Sequence, residues 1–153
     1  MNISHFGYKS VTFNIVTGWW ISEKLDGVRA YWDGRSFYSR LGNEFIPPSW
    51  FVKDLPTDMT LDGELFGGRG KFQKTVSIVK TAGSGRWKEL QYYVFDAPSI
   101  KKPFEARIDD LKYLFESSKC STVVVIPQVK CKGKDNLFQC DVNAVTVTLF
   151  TPL

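Results

Sequence analysis

The run Ser22-Glu23-Lys24-Leu25-Asp26-Gly27-Val28-Arg29 sets a lysine beside one carboxylate, two residues before a second and five before an arginine. A lysine amine becomes a nucleophile only after losing its proton, and a neighbouring guanidinium with partial desolvation favours that loss. Asp26 would orient the amine or hold its metal. The same residues would also make a surface ion pair worth about 0–1 kcal/mol, so the run alone decides nothing. A second group lies in Leu61-Asp62-Gly63-Glu64-Leu65-Phe66-Gly67-Gly68, where a carboxylate closes a strand ahead of a glycine turn. Glycines let the backbone approach a bound group closely, and Glu64 would there accept hydrogen bonds from a ribose or help hold Mg2+. An ordinary strand exit fits that tetrad equally well.

Two further places carry chemistry of the same kind. In Tyr92-Tyr93-Val94-Phe95-Asp96 the side chains alternate between faces, so one aromatic set enters a core while Phe95, at the strand end, is placed to stack on a base. Arg40, in Ser39-Arg40-Leu41-Gly42, is a fork-shaped donor for phosphate or ribose. Between residues 69 and 88 stand Arg69, Lys71, Lys74, Lys80, Arg86 and Lys88 with no acidic residue among them, in a glycine-rich setting that suits a polyphosphate backbone. The segment from Gly67 to Gln73 is not a P-loop, because Phe72 follows Gly70-Lys71 where a metal-binding Ser or Thr belongs.

Composition narrows the choices. The 153 residues carry 20 Lys plus Arg against 16 Asp plus Glu, a net charge of +4, with 43% hydrophobic and 15% aromatic residues. That is material for one real core and argues against disorder. The single histidine, His5, leaves serine-histidine hydrolysis and zinc proteolysis without their parts. Cys120, Cys131 and Cys140 are odd in number and lack CxxC spacing, which points to reduced thiols. No apolar run reaches the ~18 residues of a membrane span, and the N-terminal 14 residues lack the pattern of a secretion signal, so an intracellular chain without a membrane partner is expected.

These residues need strands to present them, and period-two patterns dominate. Val28, Ala30 and Trp32 alternate up to Asp33-Gly34, a two-residue hairpin signal, with Phe37 to Arg40 returning. Residues 20 to 40 therefore read as a strand, a break at Gly27 and a hairpin. Met59 to Phe66, Leu90 to Phe95 and Val123 to Pro127 read as further strands. Phe72, Val76 and Val79 share a face of a helix over 71 to 80. Phe104, Ile108, Leu111 and Phe115 do so over 103 to 117, with Pro103 in the first turn and Glu105 and Asp109 early, where the helix dipole favours negative charge. One α+β domain over residues 1–153, with mostly antiparallel sheets and flanking helices, is the expected architecture.

Taken in order, the segments resemble the nucleotidyltransferase (adenylation) domain of small ATP-dependent DNA ligases of bacteria and viruses. The resemblance rests on Lys24-Leu25-Asp26-Gly27-Val28-Arg29, on Ser39-Arg40-Leu41-Gly42, on Asp62-Gly63-Glu64-Leu65 running into Phe66-Gly67-Gly68-Arg69-Gly70-Lys71-Phe72, and on Tyr93-Val94-Phe95-Asp96. It covers roughly residues 18 to 140 and implies the ATP-grasp-like fold shared with mRNA capping enzymes. By resemblance, Lys24 attacks the α-phosphorus of ATP, pyrophosphate leaves, and the lysyl-AMP gives its AMP to a DNA 5′-phosphate at a nick, from which a 3′-hydroxyl displaces it. Glu23, Asp26, Arg29, Arg40, Glu64 and Phe95 would surround the nucleotide, Glu64 and Asp26 would meet Mg2+, and Arg40, Arg69, Lys71, Lys74, Arg86 and Lys88 would face nicked double-stranded DNA. Phosphoryl transfer asks for positioned cations rather than a histidine base, which agrees with the composition. RNA ligases and capping guanylyltransferases share the lysine motif, and a non-catalytic nucleotide- or DNA-binding remnant would keep the basic stretch alone.

The resemblance departs at the C-terminal end. The family carries a later Glu-Gly motif, then a lysine pair that grips phosphates, then an OB-fold domain. Here the last glutamate is Glu116 and the last lysine is Lys134. The expectation is an adenylation domain incomplete at its C-terminus, with nick sealing impaired or completed by a second polypeptide, since one lost stabilising contact costs about 10²–10³ in rate. Asp135 to Gln139 begins like the family's next helix, and Val145 to Phe150 is read as a strand that replaces a missing one or stays an exposed edge.

Overall fold

The computed structural model describes residues 17–132 and 147–150. They belong to two compact units, one made from the chain up to Lys24 together with the chain from Pro127 onward, the other from Leu25–Ile126. The smaller unit begins with β1 (Trp20–Glu23).

The larger unit is a six-stranded sheet with helices. Its elements follow one another as β2 (Val28–Trp32), β3 (Phe37–Tyr38), β4 (Glu44–Phe45), α1 (Ser49–Val52), β5 (Leu61–Phe66) and α2 (Phe72–Val79). A 3-10 turn at Gly85–Glu89, β6 (Gln91–Asp96), α3 (Phe104–Ser118) and β7 (Val123–Val125) complete it. The strand order is β4-β3-β2-β5-β6-β7. Every pairing is antiparallel except that of β6 with β7, which is parallel and joined through α3, the crossover a parallel pair requires. Alternation divides the sheet into two faces. Ala30, Trp32, Leu61, Leu65, Tyr92 and Val94 point into the core, where Phe37 meets Tyr92 edge-on at 4.8 Å and Phe51 meets Trp87 at 4.9 Å. Phe104, Ile108, Leu111 and Phe115 are all buried along α3, as their spacing requires. Arg29, Asp62, Glu64, Phe66, Tyr93 and Phe95 are the intermediate positions between the buried ones and form the sheet's half-exposed face.

In the smaller unit β8 (Gln128–Lys130) and β9 (Val147–Phe150) flank β1, both antiparallel to it. The strand expected at Val145 to Phe150 thus covers one edge of the strand that leads to Lys24. His5, Cys140 and the helix start expected at Asp135 to Gln139 lie outside the described residues, while Cys120 and Cys131 are buried.

Three local expectations change. The hairpin after β2 has a four-residue loop, not two, because Trp32 pairs with Phe37. Asp33 Oδ1 accepts the N–H groups of Arg35 and Ser36, each at 2.8 Å, and closes that wider loop as an Asx turn, a competing use of the same Asp-Gly. These N–H donors, Ser36 first, hold the Asp33 carboxyl below its ordinary value. In α2 the buried face is Thr75, Ile78 and Val79, while Phe72 is exposed and Val76 only half-buried. The Thr75 hydroxyl is tolerated inside because it donates to the Lys71 carbonyl at 3.0 Å. In α3 Pro103 is the N-cap residue rather than part of the first turn.

Candidate active site

Lys24 follows β1 directly and is exposed, with Glu23 half-buried before it. Both belong to the smaller unit, and Asp26, Arg29, Arg40, Glu64 and Phe95 to the larger. Past Lys24, Leu25 is buried and Asp26 is exposed. The Gly27 N–H then donates to Glu64 Oε1 at 2.6 Å. A Cβ on Gly27 would stand 2.4 Å from the Leu65 carbonyl oxygen, so this glycine is required for close approach to β5 rather than for an unusual φ. Glu64 is therefore a backbone anchor for the segment that follows the lysine, a role its place in the sequence does not announce.

The half-exposed face gathers the other predicted residues. Arg29 lies opposite Glu64, and Glu64 opposite Tyr93. Arg29 forms a two-pronged pair with Asp62, Nε to Oδ1 at 3.0 Å and Nη2 to Oδ2 at 2.6 Å. Its guanidinium also lies over the Phe95 ring, 4.9 Å from the centroid. A carboxylate thus already meets the charge of Arg29. Sequence reasoning missed Asp62 as the partner. Asp62, opposite Tyr31, is the diagonal cross-strand neighbour of Arg29, and only the register of β2 against β5 reveals this.

Phe95 owes its position to a slip in the ladder. Asp62 pairs with Asp96 but Gly63 pairs with Val94, leaving Phe95 as the extra residue of a β-bulge. Such bulges re-aim a side chain beside functional sites. Two supports hold the bulge. Asp96 is gripped by Arg107 of α3 through Nε to Oδ1 at 2.7 Å and Nη2 to Oδ2 at 3.0 Å. Beneath it, the Tyr92 ring packs on Gly63, where a Cβ would come within 2.6 Å of Tyr92 Cε2 and 2.5 Å of the Tyr93 carbonyl. The Tyr92 hydroxyl donates to the carbonyl of Ala30, at 2.9 Å, and lies 3.2 Å from that of Leu61, and burial pushes its pKa well up, so it stays protonated.

Arg40 is exposed on the loop between β3 and β4, which Ser39 staples by accepting the N–H groups of Leu41 and Asn43 on its hydroxyl at 3.3 and 3.0 Å. The basic stretch is not free of negative charge in space. Glu89 pairs with Lys74 and, at 3.2 Å, with Arg86, two of the six cations expected to face a polyphosphate. Those partners, Lys74 foremost, hold its carboxyl below the usual glutamate range. Arg69, Lys71 and Lys88 are exposed.

Among the described residues no three metal-ligating side chains come together. A closed protein cage for a metal is absent from them, whereas one carboxylate beside substrate phosphates is the usual company of Mg2+, and Glu64 fits that part.

No family model matches the chain. A DNA ligase of Haemophilus influenzae is 37% identical to it over 124 residues, 81% of this chain and 46% of that ligase. A solved Lig E DNA ligase, from work on DNA binding with a minimal scaffold, matches with a TM-score of 0.77 at 32% identity over 90% of this chain and 56% of its own. Chlorella virus DNA ligase-adenylate matches with a TM-score of 0.74 at 20% identity over 95% of this chain and 59% of its own, a likeness of fold. The chain spans about half the length of the curated relative it matches. In sequence and in its mixed α+β fold the chain is therefore similar to about half of a DNA ligase.

Proposed function

We propose that the chain is a ligase adenylation domain that carries AMP on Lys24 and delivers it to the 5′-phosphate at a nick in duplex DNA. The amine attacks the α-phosphorus of ATP, a P–N bond forms, and the bond to pyrophosphate breaks. The observation that carries this reading is the cluster of Arg29, Asp62, Glu64 and Phe95 on one face of three adjacent strands, with Glu64 also gripping the backbone three residues after Lys24. In that role Phe95 stacks on adenine, its ring held by the Arg29 guanidinium, and Glu64 meets the ribose or the metal. Asp26 and Glu23 border the nucleotide, and Arg40 meets phosphate. Mg2+ bound to the triphosphate supplies charge neutralisation at the phosphates. Arg69, Lys71, Lys74, Arg86 and Lys88 face the DNA, and residues 1–153 act as one partial adenylation domain. No helix among the described residues is long and apolar enough to cross a membrane.

The test is covalent labelling. Incubation with Mg2+ and α-labelled ATP, followed by denaturation, is expected to leave acid-labile, base-stable label on the wild type and none on Lys24→Ala. Absence of label at high ATP sinks self-adenylation, and preference for labelled GTP assigns a capping-type reaction instead. In a second reading, a second polypeptide supplies part of the contacts to the nick. Nick sealing that appears only when such a polypeptide is added would identify it.

A further inference from the structure

At the end of β5 and β6 the larger unit has a cavity of about 470 Å³, of the size that takes a small ligand. Its walls include Phe66 and Tyr93, packed edge to face at 5.5 Å, and Trp50 of α1, which is 40% exposed. Lys88 lines it beside the bare backbone of Gly67 and Gly68. Phe66 lies two residues beyond Glu64, and Tyr93 lies two before Phe95 and directly opposite Glu64, so the cavity adjoins those residues on the same face. Phe66, Gly67, Gly68 and Tyr93 of its lining belong to the sequence motifs, whereas Arg29, Glu64 and Phe95 do not line it.

We propose that this cavity receives one unpaired nucleotide of a DNA strand, an inference that rests on the ligase reading above. Aromatic walls bind the face of any base, and a lysine at the rim suits the phosphate attached to it. The charge agrees: Glu89, the acidic residue of the lining, is already engaged by Lys74 and Arg86, while Lys88 forms no ion pair among the described residues. A paired base, locked in its stack, cannot enter a hole of this size, so the occupant is a flipped or overhanging nucleotide at a strand end.

The experiment measures binding of the full chain, without ATP, to two fluorescent nicked duplexes, one flush and one with a single unpaired nucleotide at the nick. The wild type is expected to bind the second about tenfold more tightly, the scale of one base stacked on an aromatic ring. Trp50→Ala and, independently, Lys88→Gln are expected to reduce that preference toward one, and circular dichroism confirms that each variant is folded. Equal binding of both duplexes by the wild type overturns the pocket while leaving ligase chemistry, tested by labelling of Lys24, untouched. A preference that survives in both variants also overturns it. Failure to bind either duplex overturns the DNA reading and the pocket with it. dAMP competing as well as the unpaired strand would replace DNA by a free mononucleotide and overturn the assignment to a strand end.

Discussion

The face built on β2, β5 and β6 and the basic stretch from residue 69 to 88 both carry charged residues that sequence alone marks for phosphate chemistry, but they are held in opposite ways. On the sheet every charged group has a fixed partner: Arg29 is forked onto Asp62, Glu64 onto the Gly27 N–H, and Asp96 onto Arg107. Gly27 and Gly63 are there because nothing larger fits. In the basic stretch the cations are exposed, and Glu89 is shared between two of them. Under the proposed function the contrast separates two tasks. Chemistry at phosphorus needs groups fixed to within fractions of an ångström, whereas a grip on a polyphosphate backbone needs only charge at the surface.

The contrast breaks most visibly at the glycines. Gly63→Ala would push a methyl into the Tyr93 carbonyl and the Tyr92 ring, and Gly27→Ala into the Leu65 carbonyl. Backbone neighbours cannot turn aside as a side-chain tip can, so each substitution is expected to cost about 3 kcal/mol, read from the urea midpoint. Gly70→Ala, in the basic stretch, meets nothing within 4 Å. Its φ of +69° limits the penalty to backbone strain of about 1 kcal/mol. Equal losses at 63 and 70 would erase the distinction between the two regions.

Next in size is Asp62→Ala. It strips a two-pronged partner from Arg29, whose side chain is 34% exposed, so water relieves part of the loss and a cost of about 1–2 kcal/mol is expected. The freed guanidinium also loses its place over Phe95, so ATP labelling of Lys24 is expected to fall well beyond what the lost stability explains. Labelling at the wild-type level would show that the Arg29–Asp62 pair supports the fold alone.

How much of this was legible follows the same division. Lys24 and Phe95 stand at strand ends as expected, whereas Glu64, expected to close its strand, lies inside β5 two residues before its end. Period 3.6 located α3 to within a residue, because its four apolar positions are spaced for nothing else. What sequence could not supply was register. The Arg29–Asp62 pair, the Gly27–Glu64 bond and the bulge that leaves Phe95 over are all cross-strand facts, invisible until β5 is laid beside β2 and β6. The face of α2 was misread because a threonine can be buried once its hydroxyl finds a carbonyl within the helix, which hydrophobic periodicity does not count. Glu89 was missed for a simpler reason: it stands one residue past the basic stretch and turns back onto it.

Glu89→Gln sharpens the comparison from the other side. Removing this half-exposed surface carboxylate should change stability little, yet under the proposed function it releases Lys74 and Arg86 toward DNA. Duplex affinity is expected to rise several-fold at low salt, with a steeper salt dependence, and the gain should vanish as salt screens the phosphates. Unchanged affinity and slope would mean that these two cations never face the duplex.

The smallest effect is the pH dependence of that same carboxylate. Its folded-state pKa is depressed, chiefly by Lys74 and then by Arg86, so its contribution to stability is present above the unfolded glutamate value and is lost as pH falls through the lower folded value. Wild type and Glu89→Gln should therefore differ slightly in urea midpoint near neutrality and converge in acid below the ordinary glutamate range. The Asp33 carboxyl is depressed in the same direction, but it is present in both proteins and cancels from the difference. A gap that persists or widens in acid would mean that Glu89 supports the larger unit through its packing rather than its charge, and the two regions would then differ less in how they are held than their ion pairs suggest.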